Sequence, residues 1–513
     1  MSDTQPKEFG KFRATFWPVR SYELKKFLPL TALLFFILFV YTIVRDLKDT
    51  FLNTKTNMWV GADPKATADL ISCIKLWFVL PFAFLAVIVF GWLVGKFGSK
   101  KTFYIIISFF MGFYTLFGFV FYPNLETLKM PSEQITSMIA GKPVFIQQFL
   151  TCFANWPITL FYVFAELWGA MAIASLFWQF VNAIVKKSET KRFYATFSMI
   201  ANIGVIIAGF IIQGVAGKDI SIFTVMILMG IVATCCIIVL SIYTYIHKVI
   251  LTDPRFYDSS QVKPKKKKAK VSALEGIKIL FTNKYMLLIA VLVLGYGIVI
   301  NLAETVMKAE FKALSLVTGK NYAYYQSWVS IVTGILTVVF AIIANYVLRR
   351  FSWKFAALIT PVLMGIFCTA FFALSYLNHI GVSSIIGFST LFLAAVFGIF
   401  QDAVSKSIKY CLFDTTKNMA YIPLDEEVKT KGQAAVEVIA ARAGKSGGAV
   451  IQQGLFTFVT PGVMNNIFSF VAISAVVFVA WILSVFKLNP MYEKALADRA
   501  EAEAEAKKVE VAE

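Results

Sequence analysis

The chain has 513 residues, of which 58% are hydrophobic and 15% are charged, and it contains 51 phenylalanines. This composition is far more apolar than that of a soluble domain, so it excludes an ordinary soluble enzyme. The formal net charge of +19 would indicate nucleic acid for a soluble chain, but membrane proteins concentrate basic residues in their inner loops. We therefore expect the lipid bilayer, and no nucleic acid, as a partner.

Apolar stretches of about 20 residues recur along the chain and predict an all-α polytopic protein with twelve transmembrane helices. The first six are predicted near Phe27–Val44, Ile71–Val94, Phe103–Phe121, Pro157–Val185, Phe193–Val215 and Ile222–Ile246. The second six are predicted near Tyr285–Ala303, Trp328–Leu348, Phe355–Tyr376, Ser384–Phe413, Ala434–Val459 and Ile467–Phe486. The run Phe145–Ala154 is apolar but short, and we expect it to lie outside the membrane or to re-enter it.

Most of the 49 lysines and arginines fall in loops on one side if the N-terminus is inside, so both termini are predicted to be cytoplasmic. The basic stretch PKKKKAK (Pro264–Lys270) lies in the connector between the two sets of spans. The predicted organisation is a cytoplasmic N-terminal segment (1–26), a six-helix half (27–246), a basic cytoplasmic linker (247–284), a second six-helix half (285–486) and a charged cytoplasmic tail (487–513). Six cysteines without a CxxC pair and two histidines predict neither a metal site nor a cofactor.

The two sets of spans show weak internal similarity. Glu166 aligns with Asp402 in the fourth and tenth spans, and Asp46 aligns with Glu304 at the outer ends of the first and seventh spans. Two homologous six-helix halves are the architecture of the major facilitator class, in which cargo binds between the halves near the bilayer midplane. The stretch GWLVGKFGSKK (Gly91–Lys101) is similar to a loop motif of that class, although it has glycine where the class has an acid.

Ionisable residues inside spans are costly, about 2.5 to 3.5 kcal/mol each on insertion scales, so each is a candidate functional residue. The candidates within spans are Lys75, Glu166, Asp402, Lys406, Lys409, Glu437, Arg442 and Lys445. We expect Lys409 and Glu437 to hold helices together through ion pairs.

Lys75 and Lys445 are predicted to bind a polyanionic cargo, because phosphate oxygens can replace the water that buried ammonium groups lose. The glycines around Lys445 are expected to allow close approach to the backbone. Glu166 has no partner nearby in sequence, so it is predicted either to pair with a lysine of another helix or to carry a proton.

Two pairs of residues are spaced four apart on a helix. Asp402 and Lys406 are predicted to form an ion pair within one helix, and Lys308 and Lys312 to lie on a solvated face. The segment AGKSGG (443–448) resembles a phosphate-binding loop but lacks its first glycine, since Ile439 occupies that position. An enzyme is therefore not expected, and a membrane enzyme acting on nucleotides remains a remote alternative.

Five motifs together resemble the ATP/ADP antiporter (nucleotide translocase) family of obligate intracellular bacteria and plastids. They are YTIVRDLKDT (Tyr41–Thr50), IKLWFVLP (Ile74–Pro81), AELWG (Ala165–Gly169), LAET (Leu302–Thr305) and the long segment Leu412–Gly454. The resemblance extends from Tyr22 to Pro490. It implies exchange of external ATP for internal ADP by alternating access, and this exchange supplies energy to the cell. Phosphate is a further candidate cargo.

The resemblance also implies four substrate-binding charges, at Lys75, Glu166, Glu304 and Lys445. It implies a bacterial inner membrane, with the plastid inner envelope as the alternative, and we expect a monomer. Some relatives move other nucleoside triphosphates or NAD, or couple uptake to protons, so these cargoes stay open.

Bound phosphates are predicted to lie between Lys75 and Lys445. Further candidates for the charge network or for reading the base are Asp46, Arg442, Asp402, Lys406, Asn182, Asn202 and Asn301, with Tyr162 and Trp168 as candidate stacking surfaces.

Overall fold

A computed structural model describes residues 19–53, 67–185, 187–215, 220–253, 256, 282–424, 432–433, 436 and 440–512. Within these ranges the side chains of some helical residues, among them Arg442 and Lys445, lie outside the description. The predicted basic stretch Pro264–Lys270 and Glu437 are also outside the described residues.

The described chain is almost entirely helical. Its α-helices are α1 Leu24–Asn53, α2 Thr67–Ile74, α3 Leu80–Leu116, α4 Leu125–Leu128, α5 Ser132–Ile139, α6 Val144–Ala154, α7 Trp156–Trp168, α8 Trp178–Ile184, α9 Lys187–Val215, α10 Ile222–Tyr245, α11 Lys284–Thr318, α12 Tyr322–Arg350, α13 Trp353–His379, α14 Thr390–Ile408, α15 Asp414–Ala420, α16 Ala441–Phe458 and α17 Ile467–Ala512. Short 3-10 helices cover Ser21–Glu23 and Met464–Asn466. Wider π-helical turns cover Lys75–Val79, Phe117–Phe121, Gly169–Phe177, Ile246–Ile250 and Lys409–Phe413. Strands β1 (Ser384–Ile385) and β2 (Phe388–Ser389) form a short antiparallel hairpin.

Within the described residues, nine helical stretches are long and apolar enough to cross a membrane. They are Ser21–Asn53, Leu70–Phe121, Trp156–Ile184, Ile222–Ile250, Lys284–Thr318, Tyr322–Leu348, Trp353–His379, Thr390–Ala420 and Met464–Arg499. The second stretch has 52 residues and is interrupted at Gly98, whose φ of 74° and ψ of 163° are not helical. Two predicted spans, the second and the third, fall on either side of this glycine.

Buried apolar residues form two large clusters, which divide the chain into a first part (residues 19–256) and a second part (residues 282–512). One cluster comes from the first part together with Ala323, and the other comes from the second part alone. We call the face at which α1 begins the proximal face and the face at which it ends the distal face. This division gives the two parts a seam along which helices of one part contact helices of the other.

Local capping explains the sharp distal turn between α11 and α12. Gly319 ends α11 with a φ of 71°, a conformation that favours glycine. Two residues later the side chain of Asn321 accepts a hydrogen bond from the backbone N–H of Ala323 and begins α12. The two helices therefore reverse direction over three residues, and the start of α12 lies beside the end of α1.

Small residues bring helices of the two parts close together. A Cβ added at Gly209 would lie 2.7 Å from Ile331, and one added at Gly334 would lie 2.5 Å from Ile206. Because α9 and α12 meet at both glycines, these helices form the middle of the seam.

The glycines around Lys445 serve a related purpose within the second part. A Cβ at Gly444 would lie 3.2 Å from the Cα of Gly297, and one at Gly448 would lie 2.8 Å from the Cβ of Asn301. The sequence predicted that some group approaches the backbone around Lys445 closely. In the structure helix α11 makes this close approach.

The helices that contain the first and seventh predicted spans are longer than those spans. Helix α1 continues beyond Val44 to Asn53, and α11 continues beyond Ala303 to Thr318. The extra turns carry charged side chains that pair with other helices, so the hydropathy falls while the helix continues. Asp46 and Glu304 consequently lie inside their helices, not at their ends.

We expect Gly448→Ala to lower the thermal stability of the detergent-purified protein, because the added methyl group would press against Asn301 at 2.8 Å. Overpacking of this kind costs about 1 to 3 kcal/mol. Gly454→Ala on the same helix is the matched control, because nothing lies within 4 Å of its added Cβ. Equal melting temperatures for the two variants would contradict this packing.

Candidate functional site

A chain of ion pairs crosses from the first part to the second near the distal face. Lys48 contacts the carboxylates of Asp49 and Glu166, each at 3.0 Å. Lys308, on α11 of the second part, contacts Asp49 at 3.0 Å. The Lys48 ammonium also lies 4.1 Å from the centre of the Tyr162 ring, which adds a cation–π attraction. Of the two alternatives that the sequence left open for Glu166, the geometry matches the interhelical pair with a lysine.

The side chains in this chain of pairs differ in their access to solvent. The side chains of Lys48 and Asp49 are both 4% exposed, and that of Lys308 is 5% exposed. The side chain of Glu166 is 29% exposed. Glu166 is therefore the member of this chain that a solute can reach most readily in this conformation.

A second group of polar residues joins the parts beside the first. Arg45 contacts Asp46 at 3.0 Å and donates to the hydroxyl of Ser330 at 2.6 Å. Ser330 donates to Asp46 at 2.5 Å, and the side-chain amide of Gln326 donates to the same carboxylate at 3.4 Å. Asp46 is fully buried, so α12 satisfies a carboxylate that belongs to α1.

The second part contains its own cluster around Lys406 of α14. Lys406 contacts Glu304 of α11 and Asp402, each at 2.8 Å. The predicted ion pair between Asp402 and Lys406 is thus present. Asp402 is fully buried, whereas the side chain of Glu304 is 20% exposed.

The two parts therefore place ion pairs at related positions with opposite polarity. In the first part a lysine of α1 pairs with a carboxylate of α7, and in the second part a carboxylate of α11 pairs with a lysine of α14.

Lys75 is a half-buried cation with a different environment. It donates to Asn301 of the second part at 3.4 Å and makes no ion pair with any residue that the structure describes. Glu304 and Glu166 lie near enough to attract its charge, while Lys308 and Lys48 repel it. The side chain of Gln452 donates to Asn301 at 3.2 Å. This cation is held by a weak polar contact and is therefore available to an anion.

Three of the π-helical turns begin close to these charges. One begins at Lys75, one at Gly169, three residues after Glu166, and one at Lys409, three residues after Lys406. Such turns occur frequently at functional sites because they change which way a side chain points.

Further polar contacts join the parts near the C-terminal end of α2. Ser72 donates to Gln453 of α16 at 3.2 Å, and Gln453 donates to Gln148 of α6 at 2.7 Å. Polar contacts between described side chains of the two parts thus cluster on the distal side of the seam.

Several other candidates are not brought to this cluster. Asn182 is exposed and accepts a hydrogen bond from the hydroxyl of Tyr194. Trp168 is fully buried and donates to the carbonyl of Ile37, so it packs between helices. Asn202 is half-buried in the α9 seam next to Gly334.

The remaining candidate charges have mixed outcomes. Lys409 pairs with Asp414 at 2.9 Å, five residues further along the same helical stretch Thr390–Ala420, so this contact does not test the expectation that Lys409 holds two helices together. The side chains of Arg442, Lys445 and Glu437 lie outside the described residues, so their predicted roles remain predictions.

Sequence reasoning missed Lys48 and Asp49 and misplaced Lys308 and Lys312. The last two share a helix face, but they are 4% and 8% exposed, so the prediction of a solvated face was wrong. The physical reason is that carboxylates on other helices, such as Asp49, offset the cost of burying lysine. The available signal was the motif RDLKD (residues 45–49), whose alternating charges sit on an otherwise apolar helix.

The charges of the site's described side chains are balanced in this conformation. Equal numbers of cations and anions are present among its described side chains, namely Arg45, Lys48, Lys75, Lys308 and Lys406 against Asp46, Asp49, Glu166, Glu304 and Asp402. A phosphate group that enters must therefore compete with carboxylates for the lysines.

Comparison with known proteins gives a consistent result. The sequence profile of the family described as TLC ATP/ADP transporter matches residues 2–492. The chain is 38% identical over 508 residues to ADP,ATP carrier protein 1 of Rickettsia prowazekii (strain Madrid E), covering 96% of this chain and 98% of that protein. It is 38% identical over 518 residues to ADP,ATP carrier protein 1 of Chlamydia muridarum (strain MoPn / Nigg), covering 99% and 96% of the two chains.

A solved structure provides the likeness in fold. A bacterial homologue of the iron transporter ferroportin in an inward-facing state superposes with a TM-score of 0.56 at 12% identity, covering 92% of this chain and 99% of that one. The likeness shows a helical fold of the major facilitator type.

We expect Lys406→Gln to lower the melting temperature in detergent, because it leaves Glu304 and the fully buried Asp402 without their shared cation. Breaking a buried pair costs about 3 to 5 kcal/mol. The double variant Lys406→Gln with Asp402→Asn should regain part of this loss, since it removes the buried charge. The exposed Lys142→Gln is the control, and a double variant less stable than the single one would argue against this pairing.

Proposed function

The chain belongs to the TLC ATP/ADP transporter family, and from this membership we propose that it exchanges external ATP for internal ADP by alternating access. The observation that supports the cargo most directly is Lys75, a half-buried ammonium on the seam that has no ion pair among the described residues. A nucleotide phosphate makes a strong charge-assisted contact with an ammonium group. The neutral side-chain amide of Asn301, at 3.4 Å, offers only a weak contact.

The proposed architecture has twelve spans in two six-helix halves. The kinked stretch Leu70–Phe121 contributes two of them, because 52 helical residues would extend about 78 Å, more than twice the hydrocarbon thickness of about 30 Å. Helices α9 and α16, which carry charged residues, complete the set.

The proposed orientation follows the distribution of basic residues. With the proximal face in the cytoplasm, both termini and the connector 247–284 are cytoplasmic, and the distal face is outside. We place the protein in a bacterial inner membrane, and we propose a monomer because both halves of the site lie in one chain. Phosphate remains a candidate co-substrate.

The proposed binding step is an exchange of anions. Phosphates bind Lys75 and displace the partly exposed carboxylates of Glu166 and Glu304 from their lysines. Lys445, with Arg442 beside it, is proposed to bind the same phosphates from the second half. The displaced carboxylates stay in the site, so the net charge of the occupied site is close to that of one bound nucleotide.

The contacts on the distal side support a conformation closed to the outside. The pairs of Asp49 with Lys308 and of Asp46 with Ser330 both join the halves there. Cargo reaches the site from the cytoplasm in this conformation, and the distal contacts must separate before external ATP enters.

Anion exchange also explains why transport should be one nucleotide for another. When the site is empty, each carboxylate holds its lysine and the halves have little reason to rearrange. A bound nucleotide contacts both halves and stabilises the intermediate in which both faces are closed, so only the loaded carrier reorients quickly.

We expect membrane vesicles preloaded with ADP to take up radiolabelled ATP about tenfold faster than empty vesicles, which corresponds to a barrier lowered by about 1.4 kcal/mol in the loaded carrier. Competition with unlabelled ADP, GTP, CTP and NAD defines the cargo range. Equal uptake by loaded and empty vesicles would refute obligatory exchange.

The same assay includes Lys75→Gln, which should raise the KM for ATP about tenfold or more through loss of a charge-assisted contact. Lys75→Arg retains the charge and should fall between this variant and the unmodified protein.

A further inference from the structure

Lys308 lies between the proposed phosphate site and the distal face. It is one helical turn beyond Glu304 on the same face of α11, because the two residues are four apart. Asn301, the residue that Lys75 contacts, lies seven residues earlier on the same helix, so Lys308 is about two turns closer to the distal face than this contact. Lys308 is nevertheless 4% exposed, so it is covered in this conformation.

The group that covers Lys308 belongs to the opposite part of the molecule. Its ion pair is with Asp49 of α1, at 3.0 Å. Asp49 has a second cation, its sequence neighbour Lys48, also at 3.0 Å and on the same helix. The two lysines on Asp49 therefore differ, because Lys48 moves with Asp49 whereas Lys308 moves with the other part.

Opening of the distal side must separate α1 from α11. Asp49 then keeps Lys48 as its counter-ion, and Glu166 lies on that same side of the seam. Lys308 loses its carboxylate at the moment when the path to the outside opens. An ammonium group left inside a membrane protein needs another anion.

We propose that Lys308 is a phosphate-binding residue specific to the outward-facing state, masked by Asp49 when the distal side is closed. This inference rests on the proposed nucleotide exchange and adds a residue to it. In the outward-facing state the triphosphate of external ATP takes the place of the Asp49 carboxylate on Lys308. Its departure toward the cytoplasm returns Lys308 to Asp49 and closes the distal side.

The test compares the two faces of the membrane. Right-side-out vesicles loaded with ADP give the KM for external radiolabelled ATP, and inside-out vesicles loaded with ATP give the KM for radiolabelled ADP at the cytoplasmic face. For Lys308→Gln we expect the external KM to rise about tenfold or more, as for loss of a charge-assisted contact. The cytoplasmic KM should change less than about twofold, because Asp49 masks Lys308 when that face is open. Lys308→Arg should restore most of the external affinity.

Lys320→Gln is the matched control for surface charge. Lys320 follows the end of α11, is exposed, and lies over the ring of Tyr324 at 3.9 Å. Its removal should leave both KM values unchanged, so a rise like that of Lys308→Gln would attribute the effect to general attraction and overturn the proposal. Equal changes at both faces for Lys308→Gln, or none at either, would also overturn it.

Asp49→Asn provides a second variant in case Lys308→Gln does not reach the membrane. It removes the mask, so the external KM for ATP should fall, and a rise would contradict the proposal. Absence of exchange by the unmodified protein in both vesicle types would refute the proposed function itself. Normal exchange by the unmodified protein, with KM values that Lys308→Gln leaves unchanged at both faces, would refute only this further step.

Discussion

A buried ammonium group needs an anion beside it, and this constraint organises the charged interior of the protein. Carboxylates from other helices meet Lys48, Lys308 and Lys406, which offsets the loss of water on burial. Lys75 differs, because its described contact is a side-chain amide at 3.4 Å. Among the side chains that the structure describes, the interior is therefore close to electrically balanced, while Lys75 stays available to an anion. The proposed site binds an anion by exchanging the partners of its described lysines.

The position of these pairs relates binding to movement. Pairs within one part, such as Lys406 with Glu304, can persist while the parts rotate against each other. Pairs that cross the seam, such as Lys308 with Asp49, must break when the distal side opens. Since the same kinds of group, lysine and carboxylate, make both sets of contacts, an incoming phosphate can act on both. In the proposed cycle, alternating access then follows from which anion each lysine holds.

The sequence predicted the helical membrane fold and the family. The cost of intramembrane charge also selects Lys75 and Glu166 as candidates without any structure, and their role in binding stays a prediction. The spacing of Asp402 and Lys406 predicted their pair, since both lie on one helix. Contacts between distant helices could not be predicted in this way. Lys308 in particular looked solvated, because the hydropathy falls where α11 continues and its carboxylate partner is supplied by α1.

The most direct test of the anion-exchange account is a structure with ADP bound. The account predicts that a phosphate oxygen lies about 3 Å from the Lys75 Nζ and that the ammonium group has moved away from Asn301, with Glu166 or Glu304 displaced from its lysine. A bound nucleotide whose phosphates lie remote from Lys75, with Lys75 still on Asn301 and both carboxylates in their present pairs, would contradict it.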